Sequence, residues 1–178
     1  MLESWPYKRD LLKFSADFQR RVARQTWRDS SLEKAEKSLF VGFYFVRKLI
    51  ENRKVTDACI RRSVAIKRAS LRRSREVSDF MRHDLEKDLE TAEFIEAKVD
   101  VNQLCDKIIH AWWCIAVQAE DGGLSGYILT TDKKRNAELW FVPAESIIEV
   151  FNRFGKSDIK SLRKARDENG RLTYWSAN

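Results

Sequence analysis

Asp106 and His110 are the two residues whose types and spacing are best suited to chemistry. They stand four positions apart in NQLCDKIIHAWW, residues 102–113. A helix there makes them neighbours on one stripe with Gln103, and gathers Val101, Leu104, Cys105, Ile108 and Ile109 on an apolar face. A carboxylate beside an imidazole orients the ring and favours its protonated form, as a general acid or base requires. The same spacing equally describes a histidine near a helix C-terminus, where the helix dipole and a local ion pair account for both residues. No second catalytic group stands nearby in sequence, which favours the structural explanation.

Metal chemistry has less behind it. Cys105, His110 and Cys114 place three ligand types within ten residues. A change from helix to strand after His110 would scatter them, and no fourth ligand is evident. The three cysteines, Cys59, Cys105 and Cys114, lack CxxC spacing and suit free thiols in a reducing compartment. Walker A, GxGxxG, GxSxG and HExxH patterns are all missing, so neither a metal nor a cofactor is expected.

The segment Cys105-Asp106-Lys107-Ile108-Ile109-His110 resembles the motif of HEPN domains in its Asp and His positions. That motif is an Arg, usually followed by a polar residue such as Asn, Asp or His, and a terminal His on the same helix. An earlier segment, FVRKLIE, Phe45 to Glu51, is similar to HEPN-type helices, and the resemblance spans about residues 36–112. It implies a helical bundle and, for many members, a dimeric metal-independent ribonuclease of toxin–antitoxin or phage-defence systems. The position expected to hold Arg is Cys105. In such a ribonuclease the Arg stabilises charge on the phosphoryl group while His moves a proton at the 2′-hydroxyl or the leaving oxygen. Lacking it, the resemblance implies a noncatalytic relative from a mobile-element or defence context. A ribonuclease using His110 and Asp106 is the alternative.

A second line of chemistry comes from charge. The chain of 178 residues carries 34 Lys and Arg against 27 Asp and Glu, a net +7. Residues 53–75 concentrate it, with nine basic residues and one acidic, or 9 − 1 = +8. Clustered Arg and Lys displace counterions from phosphates and fork onto them, so Arg61, Arg62, Lys67, Arg68, Arg72, Arg73 and Arg75 are candidate contacts to RNA, DNA or another polyanion. Residues 79–100 invert the sign, eight acids to three bases, and could neutralise that block within the fold or across a dimer. Trp112-Trp113 could stack on bases, although packing into a core or interface is expected; a regular strand sends one Trp to each face.

The elements that must position these residues read as an α+β fold. Helical spacing runs from Pro6 to Trp27, and again through Leu39, Phe40, Phe43, Val46, Leu49 and Ile50 behind an N-cap at Ser30 or Ser31. These two helices are expected to pack antiparallel. Residues 53–75 are ambiguous between strand and irregular structure. Residues 79–100 are expected to be helical through Phe80, Leu85, Leu89 and Phe94. Asp100 and Gln103 are spaced as an N-cap and its N3 partner for a helix to about Ala111. Beyond it WCIAVQA, LSGYILTTD and ELWFVP, separated by EDGG and DKKRN, predict a three-stranded antiparallel meander. A helix over 144–154 is expected to stop at Gly155, and a hairpin to turn at Glu168-Asn169-Gly170.

With two Pro and six Gly, little material remains for a linker, and one domain over residues 1–178 is expected, helical over about 6–111 and β-rich over about 112–178. The N-terminal MLESWPYKRDLLKF has charges where a signal peptide needs an apolar stretch, and no run approaches the roughly 18 apolar residues of a membrane span. A cytoplasmic binding protein without membrane contact, capable of self-association, is the expectation; no small-molecule ligand is implied.

Overall fold

The computed structural model describes residues 3–24, 29–71, 92–134 and 137–178. Two long helices, α1 (Ser4–Val22) and α2 (Asp29–Glu51), lead into a short α3 (Asp57–Arg61) and strand β1 (Val64–Ser70). Strand β2 (Ile95–Val99), helix α4 (Val101–Ile109) and strands β3 (Ala111–Gln118), β4 (Leu124–Thr131) and β5 (Glu138–Pro143) follow. Helix α5 (Ala144–Lys156) and the hairpin β6 (Leu162–Arg166) and β7 (Leu172–Ala177) close the chain. The architecture is α+β.

The expected meander forms. β3, β4 and β5 pair antiparallel in sequence order, with Asp121 and Gly122 turning the first hairpin and Gly122 at φ 87°. The sheet then grows past β5 in the order β2-β1-β5-β4-β3, all antiparallel. Two of its strands therefore come from the part of the chain expected to be helical. The ambiguous segment resolves as strand at Val64-Ala65-Ile66-Lys67, with Val64 and Ile66 turned into the core and Ala65 exposed. Residues 95–99, expected as the end of an acidic helix, are strand instead. Their pairing with β1, Val64↔Val99 through Arg68↔Ile95, outweighs a local pattern that fits either state. Residues 92–94 are not helical either, and residues 79–91 lie outside the described residues.

One face of the sheet carries the main core. Contacts of Tyr7 with Phe45 and of Arg21 with Ser31 set the start of α1 against the end of α2, so the pair is antiparallel. Phe18, Phe43 and Phe151, from α1, α2 and α5, meet with ring centroids 5.2 to 5.9 Å apart. Each is fully buried, which stabilises the fold by roughly 1.5–3 kcal/mol per side chain. Gly42 lets Phe151 sit against α2, because a Cβ there would lie 2.2 Å from the ring.

Gly155 does not end its helix. α5 runs on to Lys156, and the glycine instead permits α1 to approach, since a Cβ would meet Leu12 at 2.7 Å and the Lys8 carbonyl at 3.0 Å. Helix α2 likewise begins at Asp29, ahead of the two serines expected to cap it. The hairpin at the C-terminus turns as expected, with Gly170 at φ 74°.

The opposite face of the sheet holds a smaller apolar cluster of Ala69, Trp113, Ile128 and Leu139. Both tandem tryptophans pack there. A register shift between Ala111 and Trp113 breaks the alternation, so Trp112 joins Trp113 against this cluster where a regular strand would have sent it to the other face.

Candidate functional site

Helix α4 begins where the sequence places it: the Asp100 side chain accepts from the Gln103 N–H at 2.9 Å. Capping fixes the helix phase, and Val101, Leu104, Cys105 and Ile108 are buried as the apolar face. The polar stripe of Gln103, Asp106 and His110 then faces outward and lines a cleft of about 880 Å³. Lys107 joins them, and the far wall comes from Arg68 on β1, Glu138 and Trp140 on β5, and the 3-10 turn Asp132–Lys134.

The cleft floor is built by sheet register. Arg68 and Trp140 are cross-strand partners, and the guanidinium lies 4.2 Å from the indole centroid. The Lys107 ammonium stands 4.8 Å from the same centroid, so two cations share one aromatic ring. Lys107 also donates to Glu138. Burial pushes Glu138 up, but the hydrogen bond and charge of Lys107, the Trp140 N–H and the Arg68 charge outweigh it, so its carboxyl sits below the ordinary value. The indole N–H influences that carboxylate without reaching a well-formed hydrogen bond, and it is buried without a partner, as is Arg68 Nε. At the rim Lys133 and Lys134 are exposed.

Asp106 is not left to His110. Arg47, reaching over from α2, donates to its carboxylate and holds Glu51 with its Nε at 2.8 Å. The Glu51 hydrogen bond, ahead of the Asp106 charge, raises the Arg47 guanidinium above its ordinary value. A cation therefore does stand beside the Asp106-His110 stripe, supplied in space by another helix. Cys105, at the position the HEPN motif gives to Arg, is 1% exposed and faces the main core. Burial pushes its thiol up to about 12, and the thiols of Cys114 and Cys59 to about 12 and about 11. Cys105 is buried in the main core and Cys114, half-buried, packs against it, while His110 is exposed at the cleft, so the three do not gather. Among the described residues no group of three His, Cys, Asp or Glu is placed to hold a metal.

The basic block is divided by the fold. Arg61 pairs with Asp57 at 3.6 Å and Arg62 with Glu149 at 3.5 Å, beside α3. Lys67 points to the opposite side of the sheet from Arg68 and meets its cross-strand neighbour Glu96 at 3.2 Å. Arg68 alone of these four enters the cleft. Arg72, Arg73 and Arg75 lie outside the described residues. Sequence reasoning missed Lys107, Lys133, Lys134, Glu138 and Trp140 as site residues. Their separation along the chain gave no motif: the packing of α4 and the turn after β4 beside β5 brings them together, and the pairing of β1 with β5 adds Arg68.

Comparison of the chain with protein-family models, with curated proteins and with solved structures finds no match. The cleft must be interpreted from its own chemistry. None of the described helices is long and apolar enough to cross a membrane.

Proposed function

We propose that this protein is a noncatalytic binding protein that holds single-stranded nucleic acid, RNA or DNA, across the α4–β5 cleft. The observation that carries the reading is the meeting of Arg68, Lys107, Lys133 and Lys134 with Trp140 around one cleft. Cations that track a phosphate backbone beside aromatic rings are the usual elements of single-strand recognition. Lys133 and Lys134 make no ion pair among the described residues and project from the rim, where they are free to neutralise phosphates. Arg68 brings a planar fork already laid on an indole.

Cleavage has weaker support. His110 and Asp106 line the same cleft, and Arg47 adds a cation to the pair. That guanidinium is committed to Glu51 and Asp106, and Lys107 to Glu138, so neither is left to meet charge developing on a phosphoryl group. An HEPN-like ribonuclease using His110 and Asp106 remains the competing reading.

Fluorescence anisotropy with labelled single-stranded RNA and DNA, titrated across a salt series, tests binding. Arg68→Ala is expected to weaken it by about tenfold, as removal of one charge-assisted hydrogen bond to phosphate should. No binding at low salt, or unchanged binding by Arg68→Ala, would remove the proposal. Incubation with labelled RNA in EDTA beside His110→Ala addresses catalysis. Cleavage by the unmodified protein that the substitution abolishes would instead establish the ribonuclease.

A further inference from the structure

The floor of the cleft holds two hydrogen-bond donors that its carboxylate does not meet. β5 sets Glu138 and Trp140 two residues apart on the face that carries Arg68, whose strand pairs Arg68↔Trp140 and Ser70↔Glu138. Lys107, the Trp140 N–H and the Arg68 charge all bear on the single Glu138 carboxylate. Lys107 alone makes a well-formed hydrogen bond to it, and Arg68 Nε and Trp140 Nε1 are buried without a partner. Native structures tolerate few such donors, and each asks for an explanation. Here the two orphans belong to side chains in contact with each other, at the base of an open cleft whose rim carries two exposed lysines.

Resting on the reading of the cleft as an anion-binding site, we propose that Arg68 Nε and Trp140 Nε1 form a subsite for one phosphate group, with Glu138 as its internal competitor. Both donors are covered in the unliganded arrangement, so the anion enters as the Glu138–Lys107 pair swings aside and the Arg68 fork turns over the indole. A phosphate suits the position because its oxygens point in several directions. One can take the N–H of a β1 residue and another that of a β5 residue, while the remainder face the rim lysines. The Glu138 charge opposes the incoming anion and keeps the subsite weak until a ligand displaces it.

The test uses inorganic phosphate as probe, added at constant ionic strength to ¹⁵N-labelled protein, with the Trp140 indole N–H signal identified from Trp140→Phe. Saturable displacement of that signal is expected. Arg68→Lys keeps the charge but loses the Nε donor and should weaken phosphate binding by about tenfold. Glu138→Gln keeps the shape but removes the competing charge and should tighten it by about tenfold. An unmoved Trp140 signal, or weaker binding by a folded Glu138→Gln, overturns the proposal. Oligonucleotides with and without a 5′-phosphate, run alongside, separate the source of the phosphate group. A preference for the phosphorylated end assigns the subsite to a terminal phosphate, and equal binding assigns it to the backbone. Oligonucleotide binding without phosphate binding removes the subsite alone. Phosphate binding without oligonucleotide binding keeps the subsite and removes the nucleic-acid reading.

Discussion

Arg47 on α2 donates to the carboxylate of Asp106 on α4, across 59 positions of sequence. The contact ties α2 to α4 and sets a cation beside the Asp106-His110 stripe. The pair is open to solvent, with side chains 36% and 59% exposed. A double-mutant cycle of Arg47→Ala and Asp106→Ala, followed by urea unfolding, should therefore give a coupling of about 0.2–1 kcal/mol that fades with added salt. A salt-insensitive coupling of several kcal/mol would mean that the pair is desolvated in solution.

Gly42 is fixed by the ring it touches. Gly42→Ala gains helix propensity of about 1 kcal/mol but drives a methyl into Phe151, and overpacking of this kind costs about 1–3 kcal/mol. A net loss of stability is expected in thermal or urea unfolding. Phe151→Leu supplies a smaller side chain, so Gly42→Ala should be less damaging in that background than in the unmodified protein. Additive effects of the two changes would contradict this packing.

Much of the fold was legible because it is local. The Asp100 cap and the apolar face of α4 follow from spacing within a single helix, and the meander from alternation bounded by turn residues. β2 was not, because Ile95-Glu96-Ala97-Lys98-Val99 is an edge strand with charges on one side, and only its partner β1 makes it a strand. The doubled tryptophans were misplaced for a related reason, as a bulge shifts side-chain facing by one residue and leaves no mark in the pattern. The candidate site was half legible. Asp106 and His110 lie on one helix and could be paired from spacing, whereas Arg68, Lys107, Glu138 and Trp140 meet only through strand register and helix packing.

The cysteines give a pH dependence with a definite sign. Burial raises Cys59 to about 11 and Cys105 and Cys114 to about 12, from a usual value of 9.0. A thiol whose folded value lies above its unfolded one stabilises the fold fully below the unfolded value, and that contribution is lost as pH rises through the folded one. Stability contributed by these thiols should fall from about pH 9 towards about pH 12, and replacing Cys105 with Ala should flatten the decline. Ellman's reagent at pH 8 should find native Cys59 and Cys105 inert, the half-buried Cys114 slow, and all three reactive after denaturation. Rapid labelling of the native protein would contradict their burial.

The rim lysines should act through charge alone. Replacing both Lys133 and Lys134 with Ala should reduce the salt slope of single-strand binding by about 0.7 for each phosphate no longer neutralised, with similar weakening for every sequence. Fold stability should stay within about 0.5 kcal/mol, because both side chains are exposed. An unchanged slope would place the nucleic acid elsewhere.

Where a bound strand lies is tested most directly by photo-crosslinking a single-stranded oligonucleotide to the protein and identifying the attached peptides by mass spectrometry. Crosslinks are expected in residues 103–112 and in residues 131–134 and 137–140, and Arg68→Ala should shift the concentration needed for them up by about tenfold. Crosslinks confined to the surface around Arg61 and Arg62, or none at all at low salt, would contradict the cleft as a nucleic-acid site.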